Sequence, residues 1–247
     1  MTMMRFDLIR HVVLAPGLVE PSDREAWAKA ALPDLPSAMP DGVALAYKKR
    51  LPMMKARRMS PGARLAVEAA LAASDGVPVD AWIFASRHGE TARGIKIIES
   101  LTADQPVSPT DFMMSVHNAA AGMLTIEGGL HVPTTSLAAG AETFHMALME
   151  AQAMLETDMT RVGIVDFEGV FDDRLAEKFS QSPVKATYAT AWILEKGDTL
   201  EGNRGTQVEG AKTSLPTSLQ LAAGLAARNA SLTTYGEETV FDWKVSL

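Results

Sequence analysis

Few side chains in this sequence have the types and spacing that chemistry requires. There are 5 histidines and no cysteine, which excludes disulfides, thiolate metal sites and a cysteine nucleophile. The sequence has no glycine-rich phosphate loop, no dinucleotide-binding fingerprint and no Gly-x-Ser-x-Gly elbow. Asp166 and Glu168 flank Phe167 but do not have the pattern of metal ligands. We therefore expect neither a metal nor a cofactor.

The segment 86–91 reads SRHGET and follows an apolar stretch. It resembles the Arg-His-Gly-Glu-Thr signature of phosphoglycerate mutases and histidine phosphatases. By that resemblance His88 would accept a phosphoryl group and Arg87 would bind its oxygens. That family places the motif on its first strand and needs a second, late histidine, whereas no histidine follows His145. The other interpretation is a hydrogen-bonded strand-to-helix turn, and a histidine phosphatase stays as the alternative function.

The composition is that of a folded globular protein. Of 247 residues, 47% are hydrophobic and 21% are charged, a balance typical of folded chains. We expect one domain over residues 1–247, with a substantial core. A net charge of -7 argues against nucleic acid as the main partner. Neither a membrane span nor a signal peptide is indicated, so the expected location is cytoplasmic.

Extended apolar runs alternate with amphipathic stretches, which predicts a layered α/β fold. Strands are predicted at 6–14, 79–85, 134–138, 161–167, 186–194 and 240–245, and helices at 23–31, 63–73, 90–101, 142–156 and 217–228. Across 111–125 apolar residues recur every four positions, which predicts one helical face. These residues are Phe112, Val116, Ala120 and Leu124. The proline-rich segment 16–52 is predicted to be mostly loop.

Ordered motifs between residues 45 and 200 resemble the amino-terminal half of a β-ketoacyl synthase. The segments 108–124 (SPTDFMMSVHNAAAGML) and 133–144 (PTTSLAAGAETF) are similar to the synthase region where an Asn-initiated, small-residue helix precedes a short strand and a nucleophile elbow. Upstream, 57–60 (RRMS) resembles a helix start of that family, and downstream 187–196 (TYATAWILEK) resembles the last strand of that half. Several ordered motifs are far more specific than one hexamer.

The combination of RRMS, SRHGE, SPTDF and SVHNAAAG is most similar to the chain-length-factor-like ketosynthase subunits of aryl polyene clusters. The resemblance implies a three-layer α/β, thiolase-like fold built on a single ketosynthase amino-terminal domain. It also implies a non-catalytic subunit that forms a heterodimer with a catalytic β-ketoacyl synthase in polyketide or fatty-acid-type synthesis. An acyl carrier protein would meet the complex, directly on this subunit or through the partner. A free-standing homodimer that binds acyl chains is a further alternative.

The departures from the synthase pattern concern catalysis. If 134–139 is the strand before the elbow, the synthase cysteine falls at Ala141, with Gly140 the nearest other position. Alanine offers no nucleophile, so an acyl-enzyme cannot form there. The two histidines that assist decarboxylation belong to the carboxy-terminal half of synthases, to which the resemblance does not extend. We therefore expect no independent condensing activity.

The resemblance places a set of residues near the acyl tunnel or the subunit interface. They are Ser115, His117, Asn118, Ala119, Ala120, Gly140, Glu142 and Thr143. A capping asparagine beside a hydrogen-bonded histidine fits 117–118 equally well. The small residues at 119–122 and 138–141 allow close backbone approach, in a core or at the interface that the resemblance favours. Glu142 would line the tunnel, replace the thiol or act as a charge at a helix N-terminus.

Basic residues concentrate between positions 48 and 58. They are Lys48, Lys49, Arg50, Lys55, Arg57 and Arg58. On an acidic protein such a patch could bind an acidic acyl carrier protein or its phosphopantetheine arm. A solvated face or a set of internal ion pairs is the alternative interpretation.

Overall fold

The computed structural model describes residues 3–246 except 33, 35, 171–185 and 207–214. In chain order its elements are β1 (Met3–Leu14), α1 (Pro21–Ala30), α2 (Met53–Ala56), α3 (Pro61–Ala73), β2 (Ala81–Ala85), α4 (Thr91–Thr102), α5 (Pro109–Met113), α6 (Ala119–Gly128), β3 (Thr134–Leu137), a 3-10 turn (Gly140–Glu142), α7 (Thr143–Leu155), β4 (Val162–Glu168), β5 (Tyr188–Arg204), α8 (Thr217–Ala226), β6 (Ser231–Tyr235) and β7 (Val240–Val245).

The described strands form one mixed sheet. Its order is β3-β2-β4-β5-β7-β6, and β1 pairs with β5. β2 runs parallel to β3 and to β4, whereas the other pairs are antiparallel. Because parallel strands end at the same edge, the chain leaves β2, β3 and β4 side by side. The backbone N–H of Ser86 donates to the carbonyl of Leu137 at 3.1 Å, which holds the first two exits together.

β5 is the longest strand, with 17 residues, and it serves two parts of the sheet. Its first half lies between β4 and β1, and its second half lies between β1 and β7. The register of β1 shifts near Asp7, whose carboxylate accepts the backbone N–H groups of Asp198 at 3.1 Å and Thr199 at 3.2 Å. These bonds lower the pKa of Asp7. The pairing of β1 with β5 therefore continues on both sides of this register shift, and the hydrogen bonds of Asp7 hold the strands together there.

Helices cover both faces of the sheet and produce three layers. One core cluster contains Trp192 from the sheet together with residues of α7 and α8. The other contains Trp82 from the opposite face with residues of α3 and α6. Apolar strands that are buried on both faces are typical of such a helix–sheet–helix architecture. The predicted three-layer α/β fold is confirmed. Within the described residues no helix has the length and apolar character that a membrane crossing requires.

Most predicted strands and helices are present, with small differences at their ends. β1 begins at Met3, β5 extends to Arg204, and the sequence analysis missed α2 and β6. The single helical face predicted for 111–125 is wrong. The hydroxyl of Ser115 donates to the carbonyl of Phe112 at 2.8 Å where α5 ends, and a separate helix, α6, begins at Ala119.

This break separates the four residues of the predicted face. Phe112 and Val116 are exposed, by 67% and 50%, whereas Ala120 and Leu124 are buried. A period of four residues predicts a shared face only while one helix continues. Here the chain turns between α5 and α6, so Phe112 and Val116 face solvent while Ala120 and Leu124 pack in the core.

The packing of β4 against β2 can be tested at Gly163. A Cβ added there would lie 2.3 Å from Cε3 of Trp82, which is itself fully buried. We expect Gly163→Ala to lower the free energy of unfolding by roughly 2–3 kcal/mol, because the indole must move within a packed core. Urea denaturation measures the change. Gly94→Ala in α4 is the control, since a Cβ there meets nothing within 4 Å. Equal effects of the two variants would contradict this packing.

Candidate functional site

Two turns and a pair of acids lie where the parallel strands end. The turn 86–89, which opens the RHGET motif, follows β2, and the turn 139–142 follows β3. Asp166 and Glu168 occupy the end of β4. The histidine motif and the expected elbow therefore lie at the same edge of the sheet. Carboxyl ends of parallel strands are where α/β proteins usually build their sites.

The Glu168 carboxylate organises the turn after β2. Its side chain is buried, and Oε1 accepts the hydroxyl of Ser86 at 3.0 Å, the backbone N–H of His88 at 3.3 Å and the backbone N–H of Arg87. The hydroxyl oxygen of Ser86 in turn accepts the N–H of Gly89 at 2.8 Å. Three successive amides therefore depend on one acid, directly or through Ser86.

Asp166 links the same strand to β5 and α8. Its Oδ2 accepts the Ser218 hydroxyl at 2.5 Å and the Tyr188 hydroxyl at 3.0 Å. Burial raises the pKa of Asp166 to about 6, although both hydrogen bonds oppose the shift. Burial, and then the nearby Asp166, raise the pKa of Glu168 to about 8. Burial also raises the pKa of Tyr188, which therefore stays a donor. The strand end carries two coupled acids that hold protons unusually tightly.

The two histidines near this turn have different surroundings. The Nε2–H of His117 donates to the carbonyl of Ser86 at 2.8 Å. Its ring packs against Gly89, where a Cβ would lie 2.6 Å from Cδ2 and φ is +53°. Burial, followed by the charge of Arg87, lowers the pKa of His88 to about 4.

The geometry favours the hydrogen-bonded turn over a phosphate site. A phosphate bound by the RHGET motif would need free donors, but the amides of Arg87 and His88 already donate to Glu168. These two amides are therefore already satisfied by an acceptor within the protein itself. Arg87 and His88 are close together, as the motif requires, but the sequence supplies no histidine after His145 to complete a phosphate pocket.

The turn after β3 has the strand–turn–helix form of an elbow. Gly140 has a φ of +59°, a conformation that favours glycine. The Thr143 hydroxyl donates to the carbonyl of Gly140 at 2.7 Å and accepts the N–H of Ala139 at 3.0 Å. Ala141 lies half-buried in the 3-10 turn between them. Thr143 therefore supports the turn, and Ala141 contributes no reactive group.

Glu142 points its carboxylate away from its own helix. It accepts the backbone N–H groups of Glu237 at 2.5 Å and Glu238 at 2.7 Å and the hydroxyl of Thr239. Burial opposes ionisation, but the nearby His145 ring, the Thr239 hydroxyl and these amides outweigh it and lower the pKa of Glu142 to about 2. The carboxylate makes no cap bond to α7. The contacts of Glu142 do not fit the replacement of a thiol, because its carboxylate anchors the β6–β7 turn.

The interface candidates in 115–120 fall into two groups. Asn118 precedes α6 and accepts the N–H of Gly122 through its carbonyl at 3.0 Å, but its side chain makes no cap bond. Ser115 likewise bonds only to the backbone of α5. Ala119 and Ala120 are 7% and 1% exposed, so they pack in this chain's own core and leave little surface for a partner. Ser115, His117 and Asn118 retain accessible surface.

An apolar surface that the sequence analysis missed lies on α4, on α5 and just after α5. We call it the α4–α5 surface, and its residues are Ile98, Leu101, Phe112, Met113 and Val116, exposed by 61%, 63%, 67%, 66% and 50%. Arg93 of α4 joins the two helices, because its guanidinium binds Asp111 at 2.5 Å and Glu90 at 3.1 Å. Grouped exposed apolar side chains of this size mark interaction surfaces in soluble proteins.

The basic segment is held in place from beneath. The buried carboxylate of Glu68 accepts the backbone N–H groups of Arg50 at 2.7 Å and Leu51 at 3.1 Å. Lys55 forms an ion pair with Glu127 at 3.0 Å. Across the described ranges, the other basic residues of the segment form no ion pair. They are Lys48, Lys49, Arg50, Arg57 and Arg58, and all of them are exposed.

The sequence analysis rejected Asp166 and Glu168 as metal ligands but did not predict that these two acids organise the site. Asp166 and Glu168 stand inside the apolar run RVGIVDFE, and carboxylates in a buried strand must find partners. Their place in a buried strand is the sequence signal that indicates an internal anchor. Across the residues that the structure describes, no three His, Asp or Glu side chains come together as a metal site.

Comparisons with known proteins agree with this architecture. The family described as β-ketoacyl synthase, N-terminal domain, matches residues 25–244. A chain of the solved complex of a ketosynthase (ApeO) with its chain length factor (ApeC) from Xenorhabdus doucetiae is 33% identical, with a TM-score of 0.90, over 98% of this chain and 99% of that one. A search of curated protein sequences finds no match.

Two more distant structures share the fold. A chain of the ishigamide ketosynthase/chain length factor is 15% identical, with a TM-score of 0.71, over 100% of both chains. A chain of AntDE:AntF, a type II polyketide synthase acyl-carrier protein in complex with its ketosynthase, is 11% identical, with a TM-score of 0.67, over 99% of this chain and 100% of that one. At these identities the likeness concerns the fold alone.

The acid pair should make stability fall as the pH rises through neutrality. In the folded protein the pKa values of Asp166 and Glu168 are raised to about 6 and about 8, so folded molecules hold protons that the unfolded chain has released. We expect the free energy of unfolding, measured with urea, to fall by roughly 2 kcal/mol between about pH 6.5 and 8.5.

Two variants separate this cause from others. Glu168→Gln should remove most of the slope, because the titrating group is gone. Asp166→Asn removes the neighbouring charge, lowers the pKa of Glu168 and so moves the fall in stability to lower pH. A wild-type free energy of unfolding that stays level or rises across this window would refute the assignment.

Proposed function

This chain belongs to the β-ketoacyl synthase N-terminal-domain family, and from that premise we propose that it is a non-catalytic, chain-length-factor-type subunit. It would act as a single domain and pair with a catalytic β-ketoacyl synthase in polyketide or fatty-acid-type synthesis, that of aryl polyenes. The observation that carries the proposal is an elbow-like turn after β3 in a chain without cysteine, with Ala141 where the resemblance to the synthases places the nucleophile.

The side chains around the elbow support dependence on a partner for bond formation. An acyl group needs a thiol or an activated hydroxyl as its acceptor. The Thr143 hydroxyl donates to Gly140, and the Ser86 hydroxyl is fully buried and donates to Glu168. Glu142 is bound to the β6–β7 turn. With these groups committed to internal hydrogen bonds, condensation would take place on the partner.

Two surfaces are available to such a partner. The α4–α5 surface exposes five large apolar side chains. Among the described strands, β3 pairs only with β2, so one of its edges is unpaired, and unpaired edges readily accept another chain. In the similar solved complex a ketosynthase is joined to its chain length factor. This subunit would bury its apolar surface on the ketosynthase and shape the tunnel that holds the growing acyl chain.

The basic segment fits an acyl carrier protein, which would dock directly on this subunit or reach it through the ketosynthase. Five of its cations lack ion pairs within the described residues, although the protein carries a net charge of -7. Glu68 fixes the backbone beneath them. A local positive surface on an acidic protein attracts acidic partners selectively and speeds their encounter.

The deciding experiment is co-purification with a catalytic β-ketoacyl synthase of the same organism, followed by light scattering. A stable one-to-one complex with condensing activity, which neither chain shows alone, supports the proposal. A chain that ignores the synthase and hydrolyses a phosphomonoester, with loss of hydrolysis in His88→Ala, would overturn it in favour of a histidine phosphatase. A chain that forms only homodimers and binds acyl chains would also contradict a heterodimeric role.

The α4–α5 surface can be tested by adding charge to it. We expect Phe112→Asp with Met113→Asp to weaken binding of the ketosynthase at least tenfold, because charges would be buried against the partner. Isothermal titration calorimetry measures the affinity, and both side chains are exposed, so the subunit should still fold. Leu32→Asp with Val43→Asp, at two exposed apolar residues outside the α4–α5 surface, is the matched control because it adds the same number of charges. Unchanged affinity in the double variant would remove this surface from the interface.

The carrier-protein surface predicts a salt-dependent loss of affinity. Replacing Lys48, Lys49 and Arg50 by Ala should weaken carrier-protein binding by about tenfold at low salt, since each exposed charge contributes up to about 1 kcal/mol. The difference should shrink at high salt. The control replaces three exposed lysines outside the segment, Lys29, Lys196 and Lys244, by Ala. It removes the same number of positive charges and should have little effect on carrier-protein binding. Equal affinities at low salt would discard this docking site.

A further inference from the structure

A chain of polar side chains, buried at its centre and half-buried at Thr239 and Glu142, connects the carboxy-terminal hairpin to the elbow. The indole N–H of Trp243 donates to Oγ1 of Thr234 at 2.8 Å, and that hydroxyl lies 2.8 Å from Nε2 of His145. Nδ1 of His145 lies 2.7 Å from Oγ1 of Thr239, whose hydroxyl donates to Oε2 of Glu142. We call these five residues the buried relay.

One assignment of protons satisfies every member of the buried relay. The indole can only donate, so the Thr234 oxygen accepts it and its own proton needs another acceptor. Nε2 of His145 supplies that acceptor, which places the imidazole proton on Nδ1. Nδ1–H then donates to Thr239, and Thr239 donates to the ionised Glu142. With the proton on Nε2 instead, Thr234 would receive two donors while its own proton lacked this acceptor, a costly state in a fully buried group.

The arrangement has the order of a hydroxyl–imidazole–carboxylate triad but not its accessibility. Nδ1 of His145 lies 3.6 Å from Oε2 of Glu142 on one side, and Nε2 faces the Thr234 hydroxyl on the other. His145 and Thr234 are 0% and 1% exposed, so no substrate can reach the hydroxyl. A sealed relay of this kind orients its members rather than reacting.

The carboxylate of Glu142 also fits closely against the β6–β7 turn. It accepts two backbone N–H groups of that turn, and a Cβ at Gly236 would lie 2.1 Å from Oε2. The turn at the elbow and the turn of the hairpin therefore share one acceptor. A shift of either turn would break hydrogen bonds in the other.

We infer that the β6–β7 hairpin positions the elbow turn 140–142 through the buried relay, with His145 as a positioning residue that carries its proton on Nδ1. The hairpin thereby fixes the backbone at the place where a condensing enzyme would hold its nucleophile. We also expect the hairpin to influence acyl-chain length through this turn, and that expectation rests on the proposed function. The positioning of the turn by the hairpin does not depend on the proposed function.

The first test uses matched threonine variants and backbone amide exchange. Thr239→Val and Thr234→Val remove relay hydroxyls with little change in shape, and we expect at least tenfold faster exchange at 237–238 and at 142–143. Thr233→Val is the control, because Thr233 lies on the same strand and donates to Asp242 at 2.7 Å at an exposed position. It should leave both turns unchanged. Faster exchange at 237–238 with no change at 142–143 in either relay variant would overturn the inference.

The second test reads the tautomer directly. Long-range nitrogen NMR correlations of the histidine-labelled chain should show Nδ1 protonated and Nε2 unprotonated for His145, assigned by the loss of that signal in His145→Gln. The opposite tautomer would overturn the assignment.

The third test joins the inference to the proposed function. In complex with the ketosynthase, Thr239→Val should change the distribution of product lengths while the affinity of the two subunits stays within twofold. Failure of the wild-type chain to bind the ketosynthase would defeat the proposed function and leave the exchange result standing. A normal complex with an unchanged product distribution and unchanged exchange at 142–143 would defeat the inference alone.

Discussion

The turn that follows β2, which carries the histidine motif at the strand-end edge, depends on one buried hydrogen-bond acceptor, the carboxyl group of Glu168. Three parallel strands end side by side, and the turn after the first of them leaves part-buried backbone N–H groups that need acceptors. An unpaired buried amide costs free energy comparable to a lost hydrogen bond. Glu168 accepts the amides of residues 87 and 88 and the hydroxyl of Ser86. Because the acid itself is buried beside Asp166, it holds its proton into the neutral range. Burial of the Glu168 carboxyl is offset by the hydrogen bonds that the turn donates, and the amides of the turn need Glu168 as their acceptor.

Glu142 likewise accepts backbone N–H groups of a turn near the end of β3, but the pKa of Glu142 shifts in the opposite direction to that of Glu168. Its donors are numerous enough to outweigh burial, so its pKa is lowered to about 2, whereas that of Glu168 is raised to about 8. In both places a carboxylate that could do chemistry holds a turn instead. The protein keeps the strand-end geometry on which an enzyme of this fold would build a site, and it uses the polar groups there for internal support.

The sequence predicted the parts of this structure that have a local signal. Apolar runs and caps such as Ser60-Pro61 located most strands and helices, and the elbow motif located Ala141 between β3 and α7. It did not predict the partners of Glu142, because Glu237 and Glu238 lie about 95 residues further along the chain. It also mistook 111–125 for one helical face, since nothing in a period of four reveals that Ser115 ends a helix. Contacts between distant segments decide those features, and one sequence carries little record of them.

The two proposed surfaces are joined to the site by the side chain of Arg93. Its guanidinium binds Glu90 of the histidine motif, Asp111 of α5 and the carbonyl of Arg58 in the basic segment. Glu90 also accepts the Ser60 hydroxyl at 2.7 Å, next to the start of α3. One nearly buried cation thus fixes the apolar surface, the basic surface and the strand-end turn relative to each other. A carrier protein and a ketosynthase that bound these surfaces would meet a preset geometry, so neither would need to order it on binding.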